Sequence, residues 1–151
     1  MGGHEDGYPV APALEGEKNL ALALAELAAG KCVLSAHDSS EGGVVLALAE
    51  IAIGSGLGID AELGGNAFVY SSRLDAIMYG EVPGRVIVSA TENLRPEVER
   101  VCARFGLEVQ ALGKIGQGTD FSVRVSDTKY QWTIEELASA FEDSIPSALS
   151  A

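Results

Sequence analysis

The residues best equipped for chemistry sit together. His37-Asp38-Ser39-Ser40-Glu41-Gly42-Gly43 places an imidazole, two carboxylates, two hydroxyls and a glycine pair between two apolar stretches. Where a strand passes into a helix, such a set suits anion binding. Small residues let the backbone come close to a ligand, and the first amides of a helix are unpaired donors in a favourable dipole field. Ser40 can donate to a phosphate oxygen, and Asp38 or Glu41 can join it in holding Mg2+. The same residues also suit an ordinary helix start, with Ser39 or Ser40 as cap and Glu41 in the first turn. Spacing alone leaves both readings open.

Two further segments carry less. In Tyr79-Gly80-Glu81-Val82-Pro83-Gly84-Arg85, Glu81 and Arg85 can recognise a polar ligand, Arg as a bidentate donor, or form a solvated ion pair on a turn. Gly113-Lys114-Ile115-Gly116 lacks the full spacing of a phosphate-binding P-loop and reads as a hairpin turn. His37 is the one imidazole placed to act, so no Ser/His/Asp set can be built and no catalytic residue is assigned. Cys32 and Cys102 lie in apolar patterns, as buried free thiols of a reduced compartment. With His4 and His37 they make no zinc site.

The elements that must position these residues follow from period and punctuation. Leu20, Leu24 and Leu27 set a helix over 15–29 that Gly30, able to take φ > 0, should stop. Cys32–Ala36 reads as a buried strand, and 41–54 as a helix apolar almost all round, hence covered on several sides. Ile59–Leu63 is a strand, Phe68–Tyr79 weakly helical, and Arg85–Ala90 a strand rich in β-branched residues. Leu94, Val98, Val101, Cys102 and Phe105 form one helical stripe, with Pro96 in the first turn and Gly106 at the end. Leu107–Leu112 and Phe121–Val125 read as a β-pair about a glycine-rich turn, and Tyr130 and Trp132 as packing residues. Thr133 and Glu136 have capping-box spacing for a last helix. This alternation predicts an α/β fold, one mixed sheet packed with helices. Three glycines and two prolines mark 1–12 as linker, so residues 1–13 are expected to link and 14–151 to form a single domain.

The chain has 151 residues, 22 of them acidic and 10 basic, for a formal charge of −12. No basic stripe is present to neutralise phosphates, which speaks against nucleic acid, and an anionic membrane is disfavoured for the same reason. No apolar run reaches spanning length and no secretory signal pattern opens the chain, so a cytoplasmic protein is expected.

The motifs, in this order, resemble a family. Ala36-His37-Asp38-Ser39-Ser40-Glu41-Gly42-Gly43 and the helix after it are similar to the "A-H-D-x-S-D-G-G" and "A-L-A-E-x-A" segments of the synthetase subunit of phosphoribosylformylglycinamidine synthase. Gly80-Glu81-Val82-Pro83-Gly84-Arg85 resembles its "G-E-S-x-x-R". Leu112–Gly116, the Trp132–Leu137 segment with Phe141, and Met1–Glu5 resemble the segments that close and precede its last domain. The likeness runs over nearly the whole chain, with Glu41 standing where the family has Asp.

The resemblance implies the C-terminal lobe of the aminoimidazole ribonucleotide synthetase-like fold, in a ligase of purine biosynthesis. That enzyme turns the amide of formylglycinamide ribonucleotide into an amidine. ATP with Mg2+ phosphorylates the amide oxygen, and ammonia from a glutaminase domain or subunit displaces the phosphate. Partnered with an N-terminal A-type domain, a lobe of this kind covers a nucleotide site, and this one resembles the second-half lobe at the auxiliary, non-catalytic site. His37, Asp38, Ser40, Glu41, Gly42, Gly43, Glu81 and Arg85 are the implied ATP/ADP- or phosphate-binding residues. Val82 and Pro83 replace the polar residues that hold a ribonucleotide in the first-half lobe, and Pro lacks even an N–H. The chain is therefore not expected to be active alone. The alternatives are a non-catalytic interaction module, or a lobe of a related synthetase of hydrogenase maturation, selenophosphate or thiamine phosphate formation.

Overall fold

A computed structural model describes residues 13–64 and 73–150. The expected linker through residue 12, and the Phe68–Ser72 part of the weakly helical stretch, lie outside the described residues.

Helix α1, Leu14–Ala29, buries Ala23 and Leu27. Gly30 ends it, but not by a left-handed turn: Gly30 keeps φ −77° while Lys31 takes φ 53°. The chain then tucks back, the Cys32 N–H reaching the Leu27 carbonyl at 2.9 Å. Cys32 is thereby drawn into packing against α1, and strand β1 forms only afterwards, at Ser35–Asp38, mostly exposed rather than buried. It pairs antiparallel with β3, Val86–Ser89, His37 opposite Ile87 and Ser35 opposite Ser89.

Between these strands lie α2 (Gly43–Ser55), β2 (Gly58–Leu63) and α3 (Leu74–Tyr79). A 3-10 turn and α4, Arg95–Arg104, follow, and α4 buries Val98, Val101 and Cys102. The C-terminal part contains β4 (Gly113–Gly116), β5 (Asp120–Val125), β6 (Thr128–Thr133), α5 (Ile134–Glu142) and α6 (Ser144–Leu149). The four-stranded sheet runs β4-β2-β5-β6 and is mixed: β2 is parallel to β5, and the other pairs are antiparallel.

Period-two alternation makes this sheet one-sided. Ile59, Ala61, Leu63, Phe121, Val123 and Val125 are buried, while Asp60, Glu62 and Arg124 face solvent. Helix α2 covers the apolar face with Val44, Leu48 and Ala52. Burying a Val or Leu side chain stabilises by about 1.5–3 kcal/mol, and an Ala methyl by less. A second cluster joins Ala23 and Leu27 of α1 to Val98 and Val101 of α4, with both cysteines inside it as free thiols. Burial pushes the Cys102 thiol up. Adjacent residues of β3 serve both clusters, Ile87 the first and Val88 the second. The β1–β3 ribbon is thus clamped between two cores, and the residues at its end inherit that rigidity.

Several expectations need correction. Among the described residues the predicted single sheet is two, because there β1 pairs only with β3. Leu107–Leu112 is not a strand, and the supposed turn Gly113-Lys114-Ile115-Gly116 is strand β4 against β2. There the two backbones come so close that a Cβ on Gly113 would lie 2.0 Å from the Asp60 carbonyl oxygen, an approach only glycine permits. Tyr130 and Trp132 pack as expected, but on strand β6, with Trp132 6.0 Å from the Phe121 ring. Among the described residues, no helix is long and apolar enough to cross a membrane.

Candidate functional site

Strand β1 carries His37 and Asp38 at its end, the chain turns through Ser39–Gly42, and α2 begins at Gly43. Gly42 and Gly43 take φ 73° and 68°, a region that side chains resist. At Gly43 space matters as well: a Cβ there would lie 2.7 Å from the Tyr79 carbonyl carbon, because the end of α3 packs straight onto the start of α2.

No side chain of the turn caps the helix, and no acidic residue lies in its first turn. The ordinary helix-start reading of Ser39, Ser40 and Glu41 therefore fails, since the left-handed glycines carry the chain in and leave those side chains upstream. The Gly42 N–H instead donates to Glu81 Oε1 at 3.0 Å. The Ser39 N–H donates to the Arg85 carbonyl oxygen at 3.0 Å. Two segments far apart in the sequence, 37–43 and 79–85, thus form one locus. Glu81 is bound to an amide there, a different arrangement from the solvated Glu81–Arg85 pair.

Within the locus the side chains divide into fixed and open. The His37 ring is held on both sides, Nε2 3.2 Å from Glu50 Oε2 and Nδ1 2.7 Å from the Asp38 carbonyl oxygen. Asp38, Ser40 and Glu41 are exposed. Ser39 is only 4% exposed, and its Oγ has no hydrogen-bond partner among the described residues. From the sequence Ser39 reads only as a cap, and Glu50 has no assigned role. A lone carboxylate within the apolar run Val44–Ile53 was the available signal for Glu50, as a charge is kept on a covered helix only where it has a partner.

Among the described residues the arrangement is a surface shelf, with Asp38, Ser40, Glu41 and Glu81 exposed. Two shallow hollows, one lined by Thr133, Glu135, Glu136, Ser139 and Ala140 and one by Asp60, Glu62, Leu112, Lys114 and Arg124, include none of its residues. Lys114 sits opposite Asp60 in β4, apart from the locus. Among the described residues no group of three or more His, Cys, Asp and Glu could hold a metal ion. Mg2+ is commonly held by one or two carboxylates together with substrate phosphates. Asp38 and Glu41 fit that lesser part and no more. Chemically the shelf can meet an anion with helix-start amides and hydroxyls.

Known proteins match most of this chain. Residues 1–126 match the family described as AIR synthase related protein, C-terminal domain. The phosphoribosylformylglycinamidine synthase subunit PurL of Prochlorococcus marinus is 34% identical over 151 residues, which covers 95% of this chain and 18% of that protein. The chain thus spans about a fifth of the length of the curated relatives it matches. The structure of Thermotoga maritima PurL complexed with ATP superposes with a TM-score of 0.79 at 19% identity, over 88% of this chain and 23% of that one. That of PurLQS from the same organism gives 0.78 at 18% identity, over 85% and 22%. Sequence and fold agree, and the chain belongs to the AIR synthase related family, as its C-terminal domain.

Proposed function

We propose that this chain is the C-terminal lobe of an ATP-dependent ligase that converts formylglycinamide ribonucleotide to formylglycinamidine ribonucleotide, and that it flanks a nucleotide site without catalysing the reaction alone. The observation that carries this is the 34% identity to a phosphoribosylformylglycinamidine synthase subunit over 95% of the chain. The open shelf supports it, because a lobe that completes a site with another domain has no need of an enclosed pocket. Residues 1–13 then connect to an upstream A-type domain, and 14–151 form the lobe. A glutaminase domain or subunit supplies ammonia.

ATP, when bound to the complete enzyme, supplies the phosphoryl group that activates the amide oxygen. This chain's part is binding. Ser40 would donate to a phosphate oxygen, joined by the Gly42 amide once Glu81 leaves it, Asp38 and Glu41 would help hold Mg2+, and His37, pinned by Glu50, holds the end of β1 in place. Glu81 and Arg85 close the shelf from the second segment. Val82 and Pro83 beside them offer no side-chain donor to a ribonucleotide, which favours the auxiliary, non-catalytic site.

Calorimetry tests the proposal. Mg·ADP is titrated into the chain joined to its A-type domain, as wild type and with Asp38→Ala and Ser40→Ala together. Saturable binding weakened by at least about tenfold in the variant is expected from loss of charge-assisted contacts. No saturable binding to the wild-type protein, or equal binding to both, would sink it.

A further inference from the structure

An anion already sits at the start of α2, and it belongs to the protein. Glu81 Oε1 accepts the Gly42 N–H at 3.0 Å, at the head of a 13-residue helix. Amides at a helix N-terminus attract carboxylate and phosphate oxygens alike, both being anionic acceptors in the same dipole field. Since α2 has no side-chain cap of its own, the turn supplies no local competitor for this donor. In the same turn, Ser39 holds a hydroxyl that is 4% exposed and has no hydrogen-bond partner among the described residues. Buried hydroxyls are ordinarily satisfied, and this one is left over in the turn that Glu81 reaches. Glu81 is exposed, on a turn that contains Gly84 at φ 76°. Its carboxylate can therefore swing away without opening either core.

We propose that the Glu81 carboxylate is a built-in stand-in for a ligand phosphate, so that phosphate gains the Gly42 amide only by displacing it. This rests on reading the shelf as phosphate-facing. Like charges a few ångströms apart repel even in water, and one amide cannot serve two anions. Phosphate then binds weakly while the 79–85 turn is at rest and more tightly once Glu81 is withdrawn. The turn becomes the regulator of the site.

The test follows backbone amide signals of the isotopically labelled chain, joined to its A-type domain, by NMR during titration with inorganic phosphate, then with Mg·ADP. Glu81→Gln keeps an acceptor oxygen and removes the charge, whereas Glu81→Ala removes both. Phosphate should bind Glu81→Ala at least about fivefold more tightly than wild type and shift the Gly42 amide, with Glu81→Gln between them. If the alanine variant does not fold, the glutamine variant alone must show tighter binding. Equal, weaker or absent phosphate binding in the folded variants overturns the proposal. Phosphate behaving as expected while Mg·ADP fails to bind would remove the nucleotide reading and leave the stand-in. Mg·ADP binding wild type with the Gly42 amide unmoved would do the reverse.

Discussion

Two helix starts in this molecule solve the same problem in opposite ways. At α5 the solution is local: Thr133 Oγ1 accepts the Glu136 N–H at 3.1 Å, and Glu136 Oε2 accepts the Thr133 N–H at 2.7 Å. At α2 the chain enters through two left-handed glycines, no side chain of the turn caps it, and the carboxylate comes from Glu81, 39 residues away. The difference teaches what each end is for. A start sealed by its own side chains has nothing left to offer a ligand. At α2 the Gly43 amide is bonded to the Ser40 carbonyl at 3.3 Å, but the Gly42 amide is held by a distant, exposed carboxylate and can be exchanged.

The comparison breaks most sharply at Gly43. Gly43→Ala must place a methyl 2.7 Å from the Tyr79 backbone at φ 68°, and the neighbour that would have to yield is a helix terminus rather than a flexible side chain. We expect a loss of roughly 2–5 kcal/mol, from left-handed strain and overpacking together. Chemical denaturation measures it, and a loss below about 1 kcal/mol would show that α3 can move away from α2. At the other start, Thr133→Ala removes a cap whose ordinary value is about 1 kcal/mol. The same measurement should show that smaller loss, with the α2 amides unchanged in an NMR spectrum. An effect at α2 would mean that the two helix starts are coupled.

This contrast also explains what could be read in advance. The α5 cap was legible because both partners lie within one turn, in a spacing that has one physical meaning. The apolar helix α2 and the amphipathic α4 were legible for the same reason, as period and burial agree. The locus at α2 was legible only as composition. Nothing in the order of residues shows that Gly42 meets Glu81, or that Ser39 rather than Ser40 is buried, because both depend on how β1 and β3 register. Strand β4 was missed because Gly113 and Gly116 look like turn residues until one sees that β2 needs glycine at close approach. Strand β6 was missed because Lys129 and Gln131, on the sheet's open side, break up the apolar signal of Tyr130 and Trp132.

The smallest effect sharpens the comparison through pH. The backbone and side chain of Thr133 hold the Glu136 carboxyl below its ordinary value of 4.5. A carboxyl with a folded value below its unfolded one stabilises the fold fully above the unfolded value, and loses that contribution as pH falls through the folded one. The α5 cap should therefore weaken as acid is added below about pH 4.5. Glu136→Gln keeps an acceptor for the Thr133 amide and removes the titration, so its stability should fall less than wild type over that acid range. Denaturant midpoints at pH 7 and below 4.5 compare the two directly. Parallel curves would show that the charge on Glu136 adds nothing to the cap, and that the α5 start is held by hydrogen-bond geometry alone.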